Sequence, residues 1–341
     1  MDNVFVYFVT DQDVEIKRHP TIDAFNCRDI SKVRLFVNTK IFISSHGPYC
    51  IPCYYLWKFF GIKHGRWVDT WHGISFEYGS GRGRAKMLES YDLGLVSSDF
   101  FRDHYASFAL RIRDRLKVTG FPRTDPLMNG SFDRVKIEKE MQIQGGRKNI
   151  LYAPSWSNPA VEGMIAKNLY PFGDDLEFVK KASAFCRKNN CNFLIRTHIN
   201  WEYGNPSYAA SLKSEIERTS DLYYVSLREY PLTESILFIT DMLITDYSSI
   251  ASDFLLLNRP VVYTDLNVPA EKFVFTLEER GGHVVHSDEQ FFAALQGFVD
   301  DPDGYDARYR SGREEYLSKI YKYIDDKATS RSVEEIMRLA K

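Results

Sequence analysis

The sequence has no apolar run approaching the ~18–20 residues that a membrane-spanning helix requires. Its opening residues, Met1-Asp2-Asn3-Val4-Phe5, lack a basic region followed by a long apolar core, so no secretory signal peptide is expected. An excess of one charge is also lacking: 44 basic residues against 46 acidic ones leave a formal charge of −2. A dedicated nucleic-acid binder usually shows a basic excess, so no nucleic-acid partner is expected. Cysteine is scarce. Five residues, an odd number without a secretory signal, point to a reducing compartment rather than a disulfide framework. Neither G-x-x-x-x-G-K-[ST] nor G-x-G-x-x-G occurs, which weighs against ATPase and dinucleotide readings. The single C-x-x-C, Cys50-Ile51-Pro52-Cys53, has no second pair to complete a zinc site. The carboxylate pairs Asp11-Gln12-Asp13 and Asp301-Pro302-Asp303 sit in polar stretches. No metal or cofactor is expected.

What the chain does have is apolar and aromatic material. With 44% hydrophobic residues, among them 21 Tyr and 24 Phe, it is no disordered polymer. At roughly 100–200 residues per domain, 341 residues suggest two domains, each long enough to bury a core of its own. Short apolar runs at residues 4–9, 33–37, 40–44, 67–71, 93–97 and 116–120 read as strands. A helix is expected over 99–113, with Ser98 as its N-cap. Residues 126–148 turn polar and charged, ending in Gln144-Gly145-Gly146-Arg147-Lys148, and read as a linker. A second set of strands follows at 149–153, 192–196, 242–245 and 260–263, with a helix at 176–188 and charged helical segments over 307–341. Strands separated by helix-length segments imply parallel sheets with crossover helices. The expected fold is α/β, with two Rossmann-like doubly wound domains at 1–125 and 149–310. The segment 311–341 is expected to form helices that pack back on the first domain.

In such sheets ligands bind beyond the carboxyl ends of the strands. His72, Ser155, His198 and Asp246 all fall just after an expected strand, split between the two domains, which implies one interdomain cleft. The strongest local signal is Thr245-Asp246-Tyr247-Ser248-Ser249, between a buried strand and a helix. Unpaired N–H groups at a helix start, together with the serine hydroxyls, suit a phosphate. The plain alternative is that Thr245, Asp246 and Ser248 only cap the helix. Asp253, one turn further on, is open between a ribose contact and a solvated helix position. In Thr70-Trp71-His72-Gly73 the histidine suits a general base near neutral pH, and the glycine a sharp turn close to a ligand. Arg196 and His198, two apart at a strand end, suit neutralisation of transferring phosphate charge. A surface arginine and a packed histidine is the alternative.

Gly79-Ser80-Gly81-Arg82-Gly83-Arg84 follows no strand and reads as a loop near the cleft. The stretch from Tyr54-Tyr55-Leu56-Trp57-Lys58-Phe59-Phe60 through Trp67 mixes aromatic and basic residues, as a lipid headgroup interface would favour. Arg102, Arg111, Arg113, Arg115 and Lys117 add basic character. A core helix beside a solvated basic face is the other reading of the same residues.

Four motifs taken in order resemble the CDP-glycerol glycerophosphotransferase family, which includes teichoic acid primases and polymerases and related capsule polymerases. They are Thr70-Trp71-His72-Gly73; Gly120-Phe121-Pro122-Arg123-Thr124-Asp125-Pro126-Leu127; Leu151-Tyr152-Ala153-Pro154-Ser155-Trp156; and Thr245-Asp246-Tyr247-Ser248-Ser249. The block from Asp253 to Pro260 is also similar. The run after His72-Gly73, Ile74-Ser75-Phe76-Glu77, lacks the lysine the family often has there, and His198 precedes Ile199 rather than proline.

The resemblance implies a GT-B architecture, with an acceptor-binding first domain and a CDP-donor-binding second domain. It implies His72 as general base and His198 as a second catalytic histidine on the diphosphate. Ser155, Arg196, Thr245, Asp246, Ser248, Ser249 and Asp253 would face the donor, and Trp71 and Gly73 the acceptor. The activity implied is transfer of a polyol phosphate from CDP-glycerol, or CDP-ribitol, to a lipid-linked or polymeric acceptor, with release of CMP. The implied setting is teichoic acid or capsule synthesis, in the cytoplasm, peripherally attached to the inner face of the plasma membrane. A nucleotide-sugar glycosyltransferase or epimerase of the same architecture is the first alternative. A non-catalytic polymer- or lipid-binding protein is the second.

Overall fold

The computed structural model describes residues 7–10, 23–26, 34, 38–45, 47–48, 54–61, 63–71, 73–74, 78–155 and 168–340. The second lobe carries a six-stranded, all-parallel sheet built from β7 (Lys148–Tyr152), β8 (Cys191–Ile195), β9 (Leu222–Tyr224), β10 (Met242–Thr245), β11 (Val261–Thr264) and β12 (His283–Val285). Its spatial order is β12-β11-β10-β7-β8-β9. Numbered within the lobe, this is the 3-2-1-4-5-6 order of a dinucleotide-type Rossmann sheet, whose direction of winding reverses between β7 and β10. β8, β10 and β11 are buried at every position. Helices cover both faces of a parallel sheet, so its strands read as unbroken apolar runs, and this is why they stand out in the sequence.

The first lobe carries a four-stranded parallel sheet in the order β3 (Ile41–Ser44), β4 (Arg66–Asp69), β5 (Leu93–Val96), β6 (Leu116–Val118). β1 (Tyr7–Thr10) pairs in parallel with β2 (Asp23–Asn26) in a separate two-stranded sheet. Ser98 does cap the helix that follows β5: its hydroxyl accepts the Phe101 N–H at 3.3 Å. That helix runs over Asp99–Phe108 and tightens into a 3₁₀ turn at Leu110–Arg115.

Two expectations change. Within residues 33–37 the described position, Arg34, is helical, not extended. A short apolar run does not by itself distinguish a strand from a buried helix. The glycine-rich segment is the helix Tyr78–Leu88 rather than a loop. Glycine disfavours helix by about 1 kcal/mol per residue, yet Arg84, Ala85 and Leu88 are all buried along it. Burial of that face outweighs the propensity. The polar stretch 126–148, read as a linker, has structure of its own. It carries the helix Arg134–Glu140. Arg134 makes a two-pronged contact to Asp241, 2.8 Å on each arm, and a 2.7 Å pair with Glu138. Asn149 donates to Glu138 at 2.8 Å beneath the sheet. Arg134 and Glu138 thus belong to a partly buried network, while Asp133, Lys136, Lys139 and Glu140 stay exposed.

After the helix Pro302–Ile320 the chain crosses back to the first lobe. There the helix Ala328–Ala340 has its first N–H groups held by Asp125, from Ala328 at 3.0 Å and Thr329 at 2.7 Å. Ile336 and Leu339 pack on Val68, Leu93 and Leu95 of the first sheet. These partly buried contacts and the Asp125 bonds hold the C-terminal helix on the first lobe, although its sequence follows the second.

Candidate active site at the lobe interface

The reversal between β7 and β10 places the ends of these two strands side by side, and Ser155 and Asp246 leave them there. Asp246 is buried. Its carboxylate accepts the Ser155 N–H at 2.9 and 3.0 Å, the Ser155 hydroxyl at 2.8 Å and the Ser248 N–H at 3.1 Å. Burial raises its pKa, and these donors pull it back. Asp246 therefore joins the two loops into one rim. Thr245 is wholly buried, and its hydroxyl donates to the Ala153 carbonyl at 2.6 Å, tying β10 to β7 beneath that rim. Ser248 and Ser249 are half-buried on it. The helix that follows, Ile250–Leu255, has only six residues, and Ser249 precedes it without a side-chain capping bond. The serine hydroxyls and loop N–H groups therefore provide the polar surface here, with little contribution from a helix dipole.

The first lobe meets this rim through Gly73. His72 itself lies outside the described residues, as do Trp156, Cys50 and Cys53. Gly73 is described, and it is buried against Ser249. A Cβ built on it would lie 2.9 Å from Ser249 Cβ and closer still to Oγ. The left-handed backbone here belongs to Trp71, at φ 49°, not to the glycine. Gly73 is thus required for close approach between the lobes, and the sharp bend falls on the tryptophan. Beneath Trp71 lies Arg84, its guanidinium carbon 3.7 Å from the ring centre and its other side paired with Asp69. A desolvated cation on an indole face is a strong contact of its kind.

Arg123, in the second motif, bridges the lobes. Its Nε and Nη2 donate to Asp253 at 2.9 and 3.0 Å, and its Nη1 donates to the Trp71 carbonyl at 3.1 Å. The Tyr321 hydroxyl donates to the same Asp253 at 2.9 Å. Burial opposes the charge on Arg123, but the Asp253 carboxylate outweighs it and holds the pKa above the usual arginine value. Asp253 is 8% exposed, so the solvated-helix reading does not hold. The sequence assigned no role to Arg123 or Tyr321. Membership of the Gly120-to-Leu127 motif was the one available signal for Arg123, and nothing local marks Tyr321.

Arg196 and His198 follow β8. Arg196 is buried, and its guanidinium binds the Val225 and Tyr230 carbonyls at 3.0 and 3.1 Å and the Thr233 hydroxyl at 2.8 Å. Burial pushes its pKa down to about 10. It fixes the loop leading into the helix Thr233–Ile239, whose Glu234 lies within electrostatic reach of Arg196, Arg123 and Asp253. His198 caps the helix Ile199–Gly204, its Nδ1 accepting the Asn200 N–H at 3.1 Å. His198 is exposed at the surface, yet partial desolvation by the protein around it, and then the Arg196 charge, hold its pKa below the usual histidine value. A cavity of about 350 Å3 elsewhere, at the edge of the first sheet, is lined by charged residues including Arg102, Arg113 and Lys322. Asp99 and Asp103 hold these three in ion pairs.

A six-stranded doubly wound parallel sheet in one lobe and a four-stranded parallel sheet in the other, with the lobes meeting at this rim, define a GT-B protein. The chain belongs to the CDP-Glycerol:Poly(glycerophosphate) glycerophosphotransferase family, which it matches over residues 1–338. It is 28% identical over 264 residues to the teichoic acid ribitol-phosphate polymerase TarK of Staphylococcus aureus, covering 73% of this chain and 46% of that protein. It is 26% identical over 220 residues to the teichoic acid poly(glycerol phosphate) polymerase of Bacillus spizizenii, covering 58% of this chain and 50% of that one. The chain thus spans about half the length of these curated relatives. A structure of the wall teichoic acid polymerase TagF soaked with CDPG superposes with a TM-score of 0.72 at 16% identity, over 98% of this chain and 81% of that one.

Proposed function

We propose that the chain transfers a polyol phosphate, glycerol phosphate in the first instance, from a CDP-polyol to a hydroxyl of a lipid-linked or polymeric acceptor, and releases CMP. One observation carries this reading: the donor-side rim at the β7/β10 reversal, stitched by Asp246, is in direct contact with the turn that carries the His72 motif, through Gly73 and Ser249. Family membership and relatives named as ribitol-phosphate and glycerol-phosphate polymerases support the donor class. In this reading His72 takes the proton of the acceptor hydroxyl. The oxygen attacks the β-phosphorus in line, the bond to the CMP phosphate breaks, and CMP leaves with its electron pair. His198, accepting at Nδ1, carries its neutral-form proton on Nε2, where it donates to a diphosphate oxygen. Ser248 and Ser249 bind the diphosphate, and Asp246, Thr245 and Ser155, whose N–H and hydroxyl both go to Asp246, hold the rim that presents them. Phosphoryl transfer depends on such positioning and charge stabilisation. Arg196 acts here by fixing the 225–233 loop, its donors being taken by that loop.

The test is CMP release from CDP-glycerol and CDP-ribitol, with UDP-sugars as controls, over lipid-linked and oligomeric acceptors. Acceptor-dependent release abolished by His72→Ala, with CDP binding weakened by Ser248→Ala combined with Ser249→Ala, is the expected result. Turnover of a UDP-sugar with silence from both CDP donors would move the chain to the glycosyltransferase reading. CDP binding without any release would favour a non-catalytic role.

The acceptor is proposed to lie at a cytoplasmic membrane surface. Among the described residues no helix is long and apolar enough to cross a bilayer. The helix Tyr54–Phe59 is anchored by Tyr54 on Trp67, at 5.8 Å between ring centres, and leaves Tyr55, Phe59 and Phe60 exposed beside Lys58. Aromatic rings flanked by basic side chains suit the headgroup layer of an anionic leaflet. Vesicles containing anionic lipid should sediment the protein at low salt and release it at high salt; absence of sedimentation at any salt concentration would remove this part of the proposal.

A further inference from the structure

The ion pair that spans the two lobes reaches Trp71 directly. We propose that Arg123 is a positioning residue: held by Asp253 and Tyr321, it grips the carbonyl of Trp71, the residue before His72, and sets Trp71 in its working place only when the two lobes are engaged. The inference rests on the reading of His72 as the base.

Four pieces of chain meet at this point. Asp253 belongs to the helix Ile250–Leu255 of the second lobe, and Tyr321 to the segment crossing back from the Pro302–Ile320 helix. Arg123 lies 130 positions from Asp253 and 52 from Trp71. Its planar fork satisfies three directed bonds at once, two to the carboxylate and one to the carbonyl. The Phe121 ring, 4.3 Å from the guanidinium carbon, limits its movement from the side. Lysine is a point charge without this fork and cannot reproduce the set.

Trp71 needs such support. It sits at φ 49°, a left-handed conformation that a large side chain does not adopt unaided. Arg123 fixes its carbonyl, Arg84 lies against its ring, and Ser249 closes against Gly73 two residues on. The carbonyl before residue 72 and the α-carbon after it are therefore both located by contacts that involve the second lobe. Both Asp253 carboxylate oxygens are engaged in the clamp. Its influence on the reaction then runs through Arg123 rather than through a ribose hydroxyl.

The test uses the full chain and the variants Arg123→Lys, Asp253→Asn and Tyr321→Phe, with two readouts. The first is steady-state turnover of a CDP-polyol. Arg123→Lys and Asp253→Asn should lower kcat about 10- to 100-fold, as a displaced catalytic group does, with the donor KM altered less than about 2-fold. Because the two residues act as a unit, the double variant should be no worse than the worse single. Tyr321→Phe loses one hydroxyl and keeps the packing, so it should show the same pattern, smaller. The second readout is amide hydrogen exchange. Peptides covering residues 68–74 should exchange faster in all three variants while those of β8 stay at wild-type rates. An Asp253→Asn variant that raises donor KM alone, with kcat and loop exchange unchanged, would overturn the clamp in favour of a ribose contact. So would an Arg123→Lys variant with wild-type loop exchange. If the wild-type chain turns over no CDP-polyol, the proposed function fails, yet the exchange readout still decides the clamp.

Discussion

His198 accepts a backbone N–H at Nδ1 while capping the helix Ile199–Gly204, and this leaves its neutral-form proton on Nε2. Crowding and the nearby Arg196 charge both work against a second proton. The folded pKa is therefore depressed below the ordinary 6.5. The sign follows. Above 6.5 the ring is neutral in folded and unfolded chains alike, so its contribution to stability is fully present. As pH falls the unfolded chain protonates first, and stability is lost through the folded pKa. An NMR titration of labelled histidine should give His198 a midpoint below 6.5 and an Nε2–H neutral tautomer; a midpoint above 6.5, or an Nδ1–H tautomer, would contradict the geometry. At this scale the sequence was partly legible. Residue type and strand-end position singled out His198, Ser155 and Asp246. The same cues did not reveal that Thr245 turns its hydroxyl into the sheet, or that Gly73 serves close approach while Trp71 takes the bend. Side-chain direction within a loop depends on what packs against it.

Elements were most legible where both faces are covered. β8, β10 and β11 are buried at every position and mostly apolar because helices lie on both sides of their sheet. The helix Tyr78–Leu88 was least legible, since its glycines argue locally for a loop while the burial of Arg84, Ala85 and Leu88 holds it helical. This conflict yields a test. Gly83 is exposed on that helix, and a Cβ added there would meet nothing within 4 Å. Gly83→Ala should stabilise the protein by about 0.5–1 kcal/mol, the usual gain at an unstrained helix interior. Chemical denaturation reads this as a higher midpoint with an unchanged slope. A lower midpoint would mean that the segment is not helical in solution.

For the molecule as a whole, the decisive contacts are those between lobes. Gly73 against Ser249 is the tightest of them to probe, because a single methyl group on Gly73 would overlap both the Oγ and the Cβ of Ser249. Gly73→Ala should cost about 1–3 kcal/mol, as overpacking does, and Ser249→Gly in the same chain should restore most of the loss. Thermal unfolding of the two singles and the double measures it; equal stability of Gly73→Ala and wild type would show that the lobes stand further apart in solution.

The sequence by itself determined that there are two parallel βα arrays, where most of their strands lie, and which motifs stand at the strand ends, because apolar runs and helix caps are written in neighbouring residues. It also determined the family, through four motifs in order. Only the tertiary structure decided that Arg134 and Glu138 of the polar 126–148 stretch join Asp241 and Asn149 in one network, and that Arg123 joins Asp253, Tyr321 and Trp71. These contacts link residues tens to hundreds of positions apart. Their energies depend on two lobes facing each other and excluding water between them, and no local pattern in the chain records that.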